Sequence, residues 1–151
     1  MNILEEKVIP FEGLGNIKLL SSIDDIKDYL KTNNVNFKIE YQSNKGCEPE
    51  IPWTMIHIEN SITLSFAKGK LWEIFLEENY SGSLPNGIKI GMKMDEALKL
   101  DSTLKYDDWN EDFHSDKGYW IEDNLENNTV LSITIFIKEV LDEDLFYKYE
   151  W

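Results

Sequence analysis

The chain contains no arginine, a single cysteine and no long apolar run. Without arginine it lacks the planar, bidentate clamp that usually holds phosphate or carboxylate substrates. With Cys47 alone, no disulfide can form within the chain. No stretch approaches the roughly 18 apolar residues of a membrane-spanning helix. The opening MNILEEKVIPFEG carries acids early and does not read as a secretory signal. A reducing, cytoplasmic location is the expectation. Histidine is scarce too: His57 and His114, with Cys47, make no structural zinc site.

What is present is acid and aromatic. The 151 residues predict a single domain over 1–151. Hydrophobic residues at 42% and aromatics at 13% support a folded globule rather than a disordered chain. The formal charge is -14. Such a field repels nucleic acid and anionic membrane and attracts basic proteins or cations.

Two stretches resemble each other: Ile17-Lys-Leu-Leu-Ser-Ser-Ile-Asp-Asp-Ile26 and Ile88-Lys-Ile-Gly-Met-Lys-Met-Asp-Glu-Ala97. Each follows a Gly/Asn turn and reads as a short strand, a turn and an acid-led helix, acids suiting the positive end of the helix. Ser21 or Ser22 is the expected N-cap of the first helix. Ile23, Ile26, Tyr29 and Leu30 fall at helical spacing, as do Met94, Ala97, Leu98 and Leu100. Strands are expected over 37–41, 55–58, 62–66, 71–76, 118–122 and 130–137. Lys68-Gly69-Lys70 and Asn127-Asn128 mark tight turns. The segment 43–53 reads as a loop. The reading is α+β: two β-α-β-β(-β) units, about 11–80 and 84–138, sharing or pairing antiparallel sheets with short helices packed on one face. A C-terminal helical tail follows over 139–151, with Val140, Leu141, Leu145 and Phe146 on one face.

No catalytic, cofactor or metal constellation stands out. Asp108, Asn110 and Asp112 have the oxygen spacing of a calcium loop, but Phe113 takes the glycine position and Tyr119 the bidentate glutamate position. Nothing around Cys47 matches a nucleophile signature. No glycine loop is built to cradle a phosphate. Carboxylate pairs are too abundant to single one out.

The stretch 106–120 remains, with Asp107, Asp108, Glu111, Asp112 and Asp116 interleaved with Trp109, Phe113, Tyr119 and Trp120. Rings supply anchoring area, and carboxylates attract and orient basic groups. The competing reading is a solvated acidic loop with its rings in the core. The strand 71–76 has apolar residues at both parities, Trp72, Ile74 and Leu76 on one side and Leu71 and Phe75 on the other. It is therefore either buried on both faces or exposed to a partner.

The segment Gly87-Ile-Lys-Ile-Gly-Met-Lys-Met-Asp-Glu-Ala97 resembles segments of small bacterial α+β proteins that include the immunity proteins of contact-dependent inhibition and polymorphic toxin systems. That resemblance implies a cytoplasmic, non-catalytic protein that neutralises a cognate toxin, often a basic nuclease domain, by direct binding. The expected contact residues, read from the acidic-aromatic pattern, are Asp107, Asp108, Trp109, Glu111, Asp112, Asp116 and Trp120, supported by Asp142, Glu143 and Asp144. A small hydrolase using an unassigned carboxylate pair, or a cation-binding domain, is the alternative.

Overall fold

The computed structural model describes residues 2–42 and 51–151. Cys47 and most of the loop read over 43–53 lie outside the described residues. The chain opens with a 3-10 turn, Ile3–Glu5, and three short strands, β1 (Val8–Ile9), β2 (Gly13–Leu14) and β3 (Ile17–Lys18), that form a small antiparallel sheet. Helix α1 (Ile23–Thr32) leads into a meander of β4 (Lys38–Gln42), β5 (Trp53–Ile58), β6 (Ile62–Ala67) and β7 (Lys70–Leu76). Helix α2 (Met94–Leu100) leads into a second meander of β8 (Lys105–Asp107), β9 (Asp112–His114), β10 (Tyr119–Asn124) and β11 (Thr129–Phe136). The meanders join through their last strands, giving one eight-stranded antiparallel sheet in the order β4-β5-β6-β7-β11-β10-β9-β8. The two units thus share a sheet.

Local chemistry explains the helix boundaries. Ser22 caps α1, its hydroxyl accepting from the Asp25 amide at 3.1 Å, while Asp24 and Asp25 face the positive end. Lys93 occupies the same place before α2 without a side-chain cap. Ile26 and Leu30 of α1 and Met94 and Ala97 of α2 are buried. Leu98 and Leu100 are not, because a helix of seven residues turns only one narrow face to the sheet.

The two units are tied in the same way. In the first, the Leu20 amide donates to the Leu71 carbonyl, the Leu71 amide to Ser21 and the Ile23 amide to Gly69. In the second, Gly91 donates to Val130, Val130 to Met92 and Met94 to Asn128. Ser22 bridges Lys70 as Lys93 bridges Thr129. Leu20 and Gly91 both hold positive φ, 71° and 87°. Glycine adopts that conformation freely and leucine does so under strain. The ladder is irregular at matching points: between Ser65 and Phe66 opposite Trp72, and between Glu122 and Asp123 opposite Leu131.

The first of these bulges resolves the ambiguity of 71–76. An extra residue flips the pleat, so Leu71 joins Ile74 and Leu76 in the main core while Trp72 turns to the other side. The main core lies between the helices, the small sheet and one face of the large sheet. Its Ile56, Ile58, Leu64, Ile74, Leu76, Ile133 and Ile135 are fully buried. Each such side chain contributes about 1.5–3 kcal/mol on burial.

The tail departs from the single helix expected. A 3-10 turn, Lys138–Leu141, stops at Asp142, which caps α3 (Glu143–Phe146) by accepting from the Asp144 and Leu145 amides. Leu141 and Leu145 are exposed. Phe146, Tyr149 and Trp151 instead fold onto Trp72 and Trp53 in a second core. The Ile88 strand expected before α2 does not form, although its counterpart β3 does.

Candidate interaction surface

The large sheet has one covered face and one open face, and strand register separates them. One row of paired residues runs through all eight strands: Lys38, His57, Thr63, Phe75, Thr134, Trp120, His114 and Lys105. All are partly or fully exposed. The adjacent row, Ile56, Leu64, Ile74, Ile135 and Tyr119, is buried. Side chains alternate along a strand, so the first row and its i±2 neighbours define the open face. The aromatic tail covers one end of that face at Trp53 and Trp72.

The first part of the stretch 106–120 is a β-hairpin, β8–β9, rather than a loop. Asp107 and Asp112 close it as a cross-strand pair. The Asp107 carboxylate accepts from the Trp109 amide at 2.9 Å and from the Asn110 side chain at 3.1 Å. The Trp109 amide bond holds the Asp107 carboxyl below the usual carboxylate range. Glu111, at φ 57°, completes the turn. Trp109 stands at the tip, 91% exposed, with Asp108 and Glu111 exposed beside it.

Behind the tip, His114 lies between two acids. Its Nδ1 is 3.4 Å from Asp107 Oδ2 and its Nε2 is 2.7 Å from Asp112 Oδ1. The latter pair is close but poorly aligned for a hydrogen bond, leaving both buried atoms without a directional partner. Burial raises the Asp112 pKa, and His114 opposes that shift without cancelling it. Trp120 stacks on the imidazole at 4.3 Å and 12°. Trp120 also packs against Phe136 at 4.7 Å.

The structure thus brings together Asp107, Asp112 and Trp120 on the open face, with Asp108, Trp109 and Glu111 at the tip. It sets Asp116 apart, in the turn beyond β9, where its amide donates to Thr103. Asp142, Glu143 and Asp144 belong to the tail, with Asp142 used as a helix cap. These four do not share the hairpin surface.

Asp107, Asp112 and His114 offer ligand atoms within 4.8 Å of one another. Both imidazole nitrogens already face carboxylates, so a metal would have to draw the ring away from one of them. A cleft of about 400 Å³ elsewhere is lined by Pro10, Pro85, Asn86, Lys117 and Tyr119, with no carboxylate in its wall. It offers no acid pair for glycoside chemistry.

Two acids escaped the sequence reading. Asp101, 1% exposed, follows α2 and accepts from the Thr103 amide, Thr103 Oγ1, Ser115 Oγ and Tyr119 Oη at 2.5 to 2.9 Å. Burial works against its charge, yet these bonds hold its carboxyl far below the usual range. Every lone pair is engaged, so it is a structural tie. Glu73 is the opposite case. It lies on the open face of β7 between Ser65 and Phe136. Burial alone pushes its carboxyl up to about 7.

No protein-family model matches the chain, and no curated protein matches it. Among solved structures it is similar to the crystal structure of the uncharacterized protein YfeY from Escherichia coli. The TM-score is 0.57 at 11% identity, over 86% of this chain and 99% of that one. That likeness concerns the α+β fold alone.

Proposed function

We propose that this protein is a non-catalytic binding protein that captures a basic protein domain, acting in the cytoplasm as an immunity protein against a cognate toxin. The observation that carries the reading is Trp109, 91% exposed at the tip of an acid-lined hairpin. An isolated ring held out by an ordered turn costs solvation and contributes nothing to the core, so it suits an anchor for a partner. The flanking Asp108 and Glu111, within a chain of charge -14, speed association with a cationic surface. A nuclease toxin needs a cationic surface to hold its anionic substrate, and an acidic hairpin would compete for it. Among the described residues, no helix is long and apolar enough to cross a membrane.

The test is a pull-down from the source organism, with this protein as bait, at low and then moderate salt. One stoichiometric basic partner retained at moderate salt is expected. Asp108→Lys with Glu111→Lys should weaken its retention at least tenfold. Assorted cationic proteins that wash off together would reduce the charge to a generic property and end the reading.

A further inference from the structure

We propose that the open face of the shared sheet docks a basic segment of the protein partner, seating one lysine or arginine side chain against Glu73 beside Phe75. The inference rests on the basic-partner reading and adds the place and the recognition chemistry.

Three observations lead there. First, the row through Phe75 is partly or fully exposed in every strand, and the tail covers the face only beyond Glu73, at Trp53 and Trp72. Second, its charges are complementary to a cationic occupant. Register places Glu40, Glu73, Glu122, Asp112 and Asp107 on this face, with Lys38 and Lys105 at the two edge strands and Lys70 at the tail-covered end of β7. His57 and His114 already face Glu40 and the two aspartates. Glu122 accepts from Ser132 at 2.8 Å. Third, Glu73 sits on β7, at the middle of the sheet, as the one acid of this set whose side chain has no hydrogen bond or ion pair among the described residues.

Among the described residues, no cation reaches it. β6 presents Thr63 and Ser65, and β11 presents Thr134 and Phe136. Lys138, past the end of β11, is turned over the Phe11 ring at 5.6 Å. Lys70, on its own strand, donates to the Trp151 carbonyl. The tail brings Tyr149, whose nearby cation Lys68 donates to the Tyr149 carbonyl. A partly buried carboxylate without a partner is costly. A cationic side chain whose stem lies on Phe75 would relieve that cost. A second copy of the chain is a poor occupant, since it would bring the same acids to this face.

Docking on Glu73 requires the carboxylate. With the group pushed up to about 7, most of it is protonated at pH 6 and most ionised at pH 8. Affinity should therefore rise about tenfold between those pH values.

The experiment titrates the synthetic peptide acetyl-Leu-Lys-Leu-Lys-Leu-amide into the ¹⁵N-labelled full chain at low salt, at pH 6 and pH 8. Saturable amide shifts are expected at Ser65, Glu73, Phe75 and Thr134, about tenfold tighter at pH 8. Glu73→Gln should remove the pH dependence and keep the fold, since it deletes an unpaired charge. Ser65→Lys, placing a fixed cation across the strand, should remove it as well. Shifts confined to 107–112 would overturn this site and leave the basic-partner reading standing. Equal affinity at both pH values, a Glu73→Gln variant that keeps the rise, or no saturable shift would overturn it too. Dilution-dependent shifts without peptide would assign the face to self-association instead. Failure of the basic-partner reading itself shows separately, as loss of a stoichiometric partner in the pull-down.

Discussion

His57 and His114 occupy equivalent places in the two halves of the sheet. Each lies on the second strand from an edge, pairs with an edge-strand lysine (Lys38 or Lys105), and faces the acid two residues beyond it, Glu40 at 3.2 Å or Asp107 at 3.4 Å. The repeated element is thus a lysine, an intervening residue and an acid on the edge, with histidine alongside. The halves then diverge. His57 Nδ1 turns to Thr63 Oγ1, whereas His114 Nε2 finds Asp112, and Trp120 replaces Thr63 as its neighbour. The second unit is the more acidic and aromatic of the two edges.

That divergence separates two kinds of acid in the hairpin. Asp108 and Glu111 are exposed and structurally idle, so Asp108→Lys with Glu111→Lys should leave the melting temperature within about 2 °C. Asp112 is largely covered and neighbours His114. Asp112→Lys should cost about 1–3 kcal/mol by setting a cation against the imidazole. Thermal unfolding followed by circular dichroism distinguishes the two. Equal melting temperatures for both variants would remove the structural role assigned to Asp112.

Asp101 should give the fold its acid sensitivity. Its folded pKa is depressed below the unfolded value of about 3.9, so its contribution is present above that value. It is lost as pH falls toward the folded pKa. Asp101→Asn should destabilise the protein by about 3 kcal/mol at pH 7 and flatten the loss of stability below about pH 4. Denaturant melts across pH 2.5–7 would show it. A variant with an unchanged acid limb would place the sensitivity elsewhere.

The tail should carry stability out of proportion to its length. Phe146, 6% exposed, packs on Trp72 at 4.8 Å and stacks on Trp151 at 5.6 Å. Phe146→Ala should cost about 3–4 kcal/mol and shift tryptophan emission to the red as Trp53 and Trp72 become wet. Unchanged emission with a normal melting temperature would show that the tail is not seated on these rings.

The sequence by itself determined the fold class, the two-unit plan, the cap of α1 to one of two adjacent serines and six of the eight large-sheet strands to within a few residues. These are local matters: apolar alternation, glycine and asparagine at turns, and a hydroxyl three residues before an amide needing an acceptor. It also singled out the acidic-aromatic stretch 106–120, but as a string of residues. Only the tertiary structure made its first part a hairpin, because strands of three residues carry too little alternation to be read. Tertiary structure likewise set Asp116 and Asp142 away from that hairpin, since separation in space depends on which strands pair. The bulge at Trp72 reversed the facing of Leu71, and no periodicity rule counts an inserted residue. Asp101 and Glu73 are chemically alike in the sequence. Among the described residues four donors meet at one and none at the other, and only the packing of distant segments decides that.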